Sequence, residues 1–288
     1  MADWDVLSGT GLTALAVAAA RAVESSRAEP LVDDPYAAAF VAAANPPIPM
    51  PTTADQLPGA DPVWERMSLF MGLRSRFFDE YLVEAATAGV RQVVLVAAGL
   101  DSRAFRLDWP PETKVYEVDQ PRVLEFKDRV LAERGAAARC ERHAVGVDLR
   151  EDWPKALAEA GFDVEQPTAW LVEGLLPYLP EEAAAALLDT LCALSAPGST
   201  VGVEYLHDPG AAFTDPAVGA LLRDSGFDYA ALLPERTLAD PGERLSAAGW
   251  TVSVIGSEEL AERYGRVIQE DGPSMFGANG RYVTGRLG

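Results

Sequence analysis

Residues 92–121, QVVLVAAGLDSRAFRLDWPPETKVYEVDQP, constrain this chain more than any other stretch. An apolar run from Val93 to Ala97 feeds the tight turn Ala97-Ala98-Gly99-Leu100-Asp101, and a second short strand, Lys114 to Val118, stops on Asp119. This layout is a β-turn-β unit that binds a cofactor. In open α/β sheets small ligands sit beyond the carboxyl ends of the strands, and an acid about 20 residues past the glycine turn can accept hydrogen bonds from ribose hydroxyls. Gly99 and Asp119 have that spacing. A dinucleotide site would want a Gly-x-Gly-x-x-Gly turn packed against a pyrophosphate. This turn has one glycine and keeps Asp101 and Arg103 close by, and an acid there repels a pyrophosphate. A nicotinamide oxidoreductase is therefore disfavoured. The segment Gly9-Thr10-Gly11-Leu12-Thr13-Ala14 follows MADWDVLS rather than a strand and reads as a helix start, not a phosphate loop.

The 288 residues, 49% hydrophobic and 24% charged, suit one α/β domain with insertions or one domain and a half. Subtracting 44 acids from 24 bases leaves −20, a field that opposes binding to nucleic-acid phosphates, so nucleic acid is discounted as a partner. The longest candidate membrane segment, Leu12 to Val23, is too short to span a bilayer and contains Arg21, and no basic stretch precedes it as in a signal peptide. A cytoplasmic protein without membrane contact is expected. Cys140 and Cys192 are far apart, no Cys-x-x-Cys pair occurs, and His143 and His207 are the two histidines. Neither a disulfide framework nor a metal site is expected, the cysteines reading as small buried filler. His143, inside a predicted strand, reads as structural.

The first ninety residues read as helical, with Ala-rich helices over Gly11 to Ser26 and Pro35 to Ala44. Six prolines from Pro46 through Pro62 deny the next segment regular hydrogen bonding, so it reads as a loop or lid. From Val63 to Ala88, Met67, Phe70, Met71, Arg74, Phe77, Phe78, Tyr81 and Leu82 recur at helical spacing, and Gly89 ends the pattern. Strand, turn and helix then alternate. Strands are expected at Val93–Ala97, Lys114–Val118, Arg139–Asp148, Ala169–Glu173 and Ser199–Tyr205, with helices at Pro121–Arg134, Asp152–Ala160 and Glu181–Ala196 between them. Such alternation argues for a mainly parallel sheet wrapped by helices. Residues 207–240 break the rhythm with prolines and aromatics and read as an insertion suited to substrate contacts. A helix at Gly242–Gly249, a strand at Trp250–Ile255, a helix at Ser257–Tyr264 and a strand at Arg281–Leu287 complete the chain. The expected organisation is an N-terminal helical cap over 1–90, contributing to cofactor and substrate binding, and a core over 91–288.

The motifs LVAAGLDSRAFRL, YEVDQP, VGVDL and LVEGLLPYL, in this order and spacing, resemble the S-adenosylmethionine-dependent methyltransferases of the leucine carboxyl methyltransferase group, and most closely its actinobacterial branch. The resemblance covers the chain from the LVDDPYAAAF segment through the final strand. It implies the α/β, Rossmann-like class I methyltransferase fold, a seven-stranded mostly parallel sheet with helices on both faces and an antiparallel last strand. It also implies S-adenosyl-L-methionine as cofactor and roles for individual residues. Arg74 looks like the arginine that pairs with the methionine carboxylate, contact chemistry that suits a guanidinium, with Arg76 as the alternative. Gly99 would border the methionine moiety, Asp119 would take the ribose hydroxyls, Asp148 and Leu149 would contact adenine, and Glu173 would sit near the cofactor's amino end. Acids at three strand ends are costly to bury without partners, so a ligand rich in donors accounts for them. Ala97 stands where many enzymes of this fold carry glycine. Arg21 is a candidate for the basic residue that precedes LVDDPY in the leucine-specific enzymes.

Methyl transfer from a sulfonium is an in-line displacement, for which the protein supplies alignment and a dry cavity. A carboxylate acceptor is already ionised, whereas a phenol or alcohol asks for a base within reach. Tyr178, Tyr205 and His207 are the candidate catalytic residues, with no indispensable base expected. Trp64, Phe70, Phe213 and Phe227 either line an aromatic acceptor pocket or fill core, and core is the default. The leading expectation is an O-methyltransferase acting on a small-molecule carboxylate or hydroxyl, plausibly in a natural product. The alternatives are carboxyl methylation of a peptide or protein terminus and a non-catalytic S-adenosylmethionine-binding protein. The oligomeric state is left open.

Overall fold

The computed structural model describes residues 6–7, 9–57, 62–206, 239–268 and 280–288. Its helices begin where the sequence provides a start. Helix α1 (Gly9–Ser25) opens on Gly9, α2 spans Ala37–Ala44, and α3 (Pro62–Thr87) begins with a proline, whose missing N–H costs nothing in a first turn. Gly89, at φ +106°, lets the chain leave α3 by a backbone conformation that a side chain would disfavour. The proline-rich connection is a loop holding one short 3₁₀ turn, Ala54–Gln56.

Strands β1 (Gln92–Val96) and β4 (Thr168–Val172) are buried at every position, as strands covered by helices on both faces must be. Between them lie a four-residue helix α4 (Arg103–Arg106), β2 (Lys114–Asp119), α5 (Pro121–Glu133), β3 (Glu141–Gly146) and α6 (Trp153–Glu159). Asp152 caps α6 by accepting the Lys155 N–H. A 3₁₀ turn (Leu176–Tyr178), α7 (Glu181–Ala193), β5 (Thr200–Leu206), α8 (Pro241–Ala247), β6 (Trp250–Gly256), α9 (Ser257–Arg263) and β7 (Gly280–Leu287) follow. Expected and observed elements agree except at their ends and at α4, too short to show a helical period. The third strand is shorter than read, because the Arg139 N–H turns back to the Ala104 carbonyl before pairing begins.

The seven strands run β3-β2-β1-β4-β5-β7-β6. Strands β1 to β5 pair in parallel, and β7 is antiparallel to both β5 and β6. The order reverses between β1 and β4, and such a switch point opens a crevice at the carboxyl ends of the strands. On one face Val93, Leu95 and Leu171 share a core with Leu15 and Ala19 of α1, Phe40 of α2 and Phe70, Phe78 and Leu82 of α3. On the other, Val94, Val96 and Trp170 pack with Trp153 of α6, Leu188 of α7 and Leu245 of α8. Trp64 and Phe70 belong to the first core, as the default reading expects. Among the described residues no helix is long and apolar enough to cross a membrane.

Candidate active site

A cavity of about 490 Å³ lies over the strand ends at the switch point. Its floor is the turn after β1, Asp119, residues 147–150 after β3, the segment from Glu173 to Leu179, and Glu204 and Leu206 of β5. Its far wall comes from Thr10, Thr13, Val17 and Arg21 of α1 and from Met71, Arg74 and Ser75 of α3.

The turn after β1 is locked by Asp119. The Gly99 N–H donates to Asp119 Oδ2 at 2.6 Å, and the Gln120 N–H donates to Oδ1 at 2.7 Å. Burial pushes the Asp119 carboxyl up, an effect the two backbone donors partly offset. A carboxylate offers about four lone-pair sites, so Asp119 keeps acceptor capacity beyond these two bonds, and it lines the cavity. Gly99 sits at φ +48°, and a Cβ there would meet only the Ala97 carbonyl, at 3.8 Å, so a ligand can approach this backbone closely. Ala97 is at φ +54°, a left-handed conformation that explains why glycine is common at such a position.

Two arginines on α3 were candidates for a carboxylate, and geometry separates them. Arg76 pairs with Glu80 at 3.0 Å and lies over the Tyr264 ring, away from the cavity. Arg74 is buried on the cavity wall, its Nε 2.8 Å from Glu173 Oε1 and its Nη1 donating to Glu204 Oε2 at 2.8 Å. Its buried Nε approaches Glu173 without forming a hydrogen bond of normal geometry, and the side chain lines the cavity. Burial works against the Arg74 charge, but Glu204 and Glu173 more than offset it.

Glu173 also accepts from Arg103 Nη1 at 2.7 Å, and Arg103 pairs in addition with Asp79 at 2.6 Å and with Asp101. Burial alone would raise the Asp101 carboxyl, but Arg103 leads the charges that hold it down to about 2. Arg21, on α1, donates Nε to Asp34 Oδ2 at 3.0 Å and Nη2 to the Leu100 carbonyl at 2.8 Å, so the N-terminal helix is tied to the β1 turn. Glu204 was not foreseen. The available signal was a carboxylate in the apolar strand pattern TVGVEYL, at a position that β5 buries.

Asp148 and Leu149 reach the rim of the cavity after β3. Asp148 is held by its own neighbour Arg150, whose N–H and Nε donate to Oδ1 at 2.9 and 2.8 Å, and this pairing lowers its carboxyl. Tyr178 lines the cavity from its 3₁₀ turn. Tyr205 does not fit the role proposed for it. Strand alternation turns Glu204 and Leu206 to the cavity, and the Tyr205 ring packs in the core on the opposite face with Val203 and Leu245. Burial, with Asp240 as hydrogen-bond partner, pushes its hydroxyl up to about 12. His207, Phe213 and Phe227 lie outside the described residues. His143 stacks on Tyr116 with ring centroids 4.7 Å apart, a structural placement, and both cysteines are partly buried.

The leucine carboxyl methyltransferase family model matches residues 14–192. A Saccharopolyspora erythraea protein, provisionally named an S-adenosyl-L-methionine-dependent methyltransferase, is 48% identical over 282 residues, covering 98% of this chain and 97% of its own. The chain belongs to the leucine carboxyl methyltransferase family. A Rhodococcus jostii relative with the same provisional name is 48% identical over 272 residues, covering 93% of this chain and 92% of its own. Among solved structures, a Thermobifida fusca protein provisionally named a methyltransferase superposes with a TM-score of 0.52 at 18% identity, covering 94% of each chain. A DUF574 family protein from Streptomyces avermitilis gives a TM-score of 0.53 at 16% identity over 94% of this chain and 97% of its own, and both likenesses bear on the fold alone. The enzyme class, the class I fold and the cofactor expected from the motifs stand with family membership. The residues present fit that cofactor: an acceptor-rich carboxylate at a strand end, a backbone open to close approach, and a buried guanidinium on the cavity wall.

Proposed function

We propose that this chain transfers a methyl group from S-adenosyl-L-methionine to an oxygen of a small molecule, a carboxylate or hydroxyl of the kind found in secondary metabolites. The observation that carries the reading is Asp119, fixed by two backbone donors with its remaining lone pairs on a cavity whose other end holds Arg74. In this reading Asp119 takes ribose hydroxyls, Arg74 the methionine carboxylate, Glu173 the region of the amino group, Asp148 and Leu149 adenine, and Gly99 the close backbone contact. When bound, the cofactor supplies a methyl group on a positively charged sulfur, already activated for displacement. The protein contributes fixed charges, orientation and exclusion of water.

A small acceptor is favoured over a peptide terminus by the charge of the site. A protein that captures peptide carboxylates benefits from a basic cleft, but Arg21, Arg74, Arg103 and Arg106 are each paired with carboxylates, and the chain carries −20 overall. Tyr178 is on the wall to orient an acceptor oxygen, and Leu206, the residue before His207, lines the cavity. A carboxylate acceptor needs neither as a base, whereas a phenol would call on one of them.

The test is titration calorimetry with S-adenosylmethionine, S-adenosylhomocysteine and NAD, followed by an acceptor screen. One-to-one binding of both sulfur compounds and none of NAD, then methyl transfer to a small carboxylate or phenol, is the expected result. Absence of binding by either sulfur compound overturns the proposal.

A further inference from the structure

The ion pairs around Arg74 form one connected group whose charges do not cancel. Arg74 meets Glu173 and Glu204, Arg103 meets Glu173, Asp101 and Asp79, and Arg106 meets Asp79. Among the described residues that is three guanidinium groups against four carboxylates, an excess of one negative charge in a buried network. The adjoining pairs do not correct it. Arg21 is matched by Asp34, and the buried group of Lys127 and Arg142 with Glu117 and Asp128 is balanced. Within the network Glu173 is shared by two arginines, whereas Glu204 has Arg74 alone plus the Gly174 N–H at 2.8 Å. Asp101 likewise has a single arginine, but Lys127 and Arg106 add to the positive charge around it, whereas Glu204 faces Glu173, so Glu204 is the least compensated member, and it lines the cavity.

We propose that Glu204 is a specificity-determining residue: its carboxylate supplies the excess negative charge by which the site prefers the cationic cofactor over its demethylated product. The inference rests on the cofactor reading above. Methyl transfer returns the pair of the broken S–C bond to sulfur, so the product has one positive charge fewer than the cofactor and is otherwise closely similar. A site with an uncompensated carboxylate holds the first more tightly and releases the second. At an effective dielectric near 20, a unit charge across a cavity of this size is worth roughly ten- to a hundredfold in affinity. The groups facing Glu204 are Arg74 from α3, Glu173 from the end of β4 and Tyr282, its cross-strand partner on β7. Burial keeps Tyr282 neutral. Burial also raises the Glu204 carboxyl, Arg74 opposes this and Glu173 adds to it, so acid removes the excess charge by protonating Glu204 before ordinary glutamates.

The experiment measures both dissociation constants by calorimetry for the wild-type protein and for Glu204→Gln and Glu204→Asp, and compares the ratio of product to cofactor Kd. Glu204→Gln keeps an acceptor for Arg74 and Gly174 but loses the charge. The expected result is that its ratio falls at least tenfold while Glu204→Asp stays within about threefold of wild type. A loss common to both ligands, with the ratio unchanged, shows a merely structural role and overturns the proposal. The same ratio is measured from pH 8.5 down to 5.5 on the wild-type and Glu204→Gln proteins. It should fall with acid in the wild type, because Glu204 becomes protonated, and less steeply in Glu204→Gln, where the ligands' own amino groups and Asp119, also raised by burial and on the cavity, still titrate. A ratio independent of pH refutes the charge mechanism. If neither ligand binds wild-type protein, it is the cofactor reading that has failed.

Discussion

Arg21 gives the sharpest test of how the N-terminal helices are joined to the site. It links α1, the turn before α2 and the β1 turn through one guanidinium: Nε to Asp34 at 3.0 Å and Nη2 to the Leu100 carbonyl at 2.8 Å. The Asp34 carboxylate has no exposed surface and also accepts the N–H groups of Tyr36 and Ala37 at 3.0 and 3.1 Å. Burial would raise the Asp34 carboxyl, but Arg21 leads the interactions that hold it below the usual aspartate range. Arg21→Met removes the cation and leaves a buried charge, a change that costs about 3–5 kcal/mol. For 288 residues, at about 2.1 cal/mol/K per residue, the unfolding entropy near Tm is about 0.6 kcal/mol/K, so Tm should drop by about 5–8 °C. Differential scanning calorimetry at pH 7 measures it. The pH dependence has a definite sign. A depressed carboxyl contributes stability above its unfolded pKa and loses it as pH falls, so the gap between wild type and Arg21→Met should narrow below about pH 4. Adding Asp34→Asn should recover part of the loss, since an amide keeps an acceptor for the backbone and carries no charge. A Tm change under about 2 °C, or a double variant no more stable than the single, would refute the reasoning.

Three further outcomes are expected. Asp119→Asn turns one acceptor of the β1 turn into a donor facing a backbone N–H. It should lower stability by about 1–3 kcal/mol and S-adenosylmethionine affinity by about tenfold or more, and unaltered calorimetric affinity would sink the ribose assignment. Tyr205→Phe should leave cofactor affinity unchanged and cost about 1 kcal/mol of stability, because its ring lies across the sheet from the cavity; a turnover loss with unchanged Tm would restore it to the site. Gly202→Ala places a Cβ 2.9 Å from the Tyr81 ring, which is anchored by its hydroxyl to the Trp170 carbonyl at 3.0 Å and cannot swing aside. A loss of about 1–3 kcal/mol is expected, and a thermal scan showing an unchanged Tm would argue that α3 can shift over β5.

The strands and long helices were legible because each carries a period and a punctuation mark: the apolar runs of β1 and β4, the aromatic face of α3, Gly89 at its end, Pro121 at the start of α5. The strand-end acids were legible for the same reason, since a carboxylate closing an apolar run is conspicuous. Their partners were harder to see. Arg74 meets a glutamate 130 residues away, and Arg21 meets a carbonyl 79 residues away, pairings that no local pattern encodes. Tyr205 shows the converse error: closeness to a strand end in sequence does not say which face the side chain takes, and one position of alternation moves it across the sheet.

The arrangement of these distant partners explains why the cavity wall is built from the N-terminal helices at all. A parallel sheet presents its strand ends as a row of carboxylates and backbone groups, and in this chain Asp119, Glu173 and Glu204 stand along that row with no arginine on β1, β2, β4 or β5 themselves. The neutralising guanidinium groups come from outside the sheet, Arg74 from α3, Arg103 from α4, with Arg21 of α1 clamping the turn from above. Docking α1 and α3 on the sheet therefore does two things through one set of contacts. It buries the apolar face shared with β1 and β4, and it delivers the cations without which the buried acids would take up protons. Loosening that face should be felt first as a change in the charge of the site, before any strand is lost.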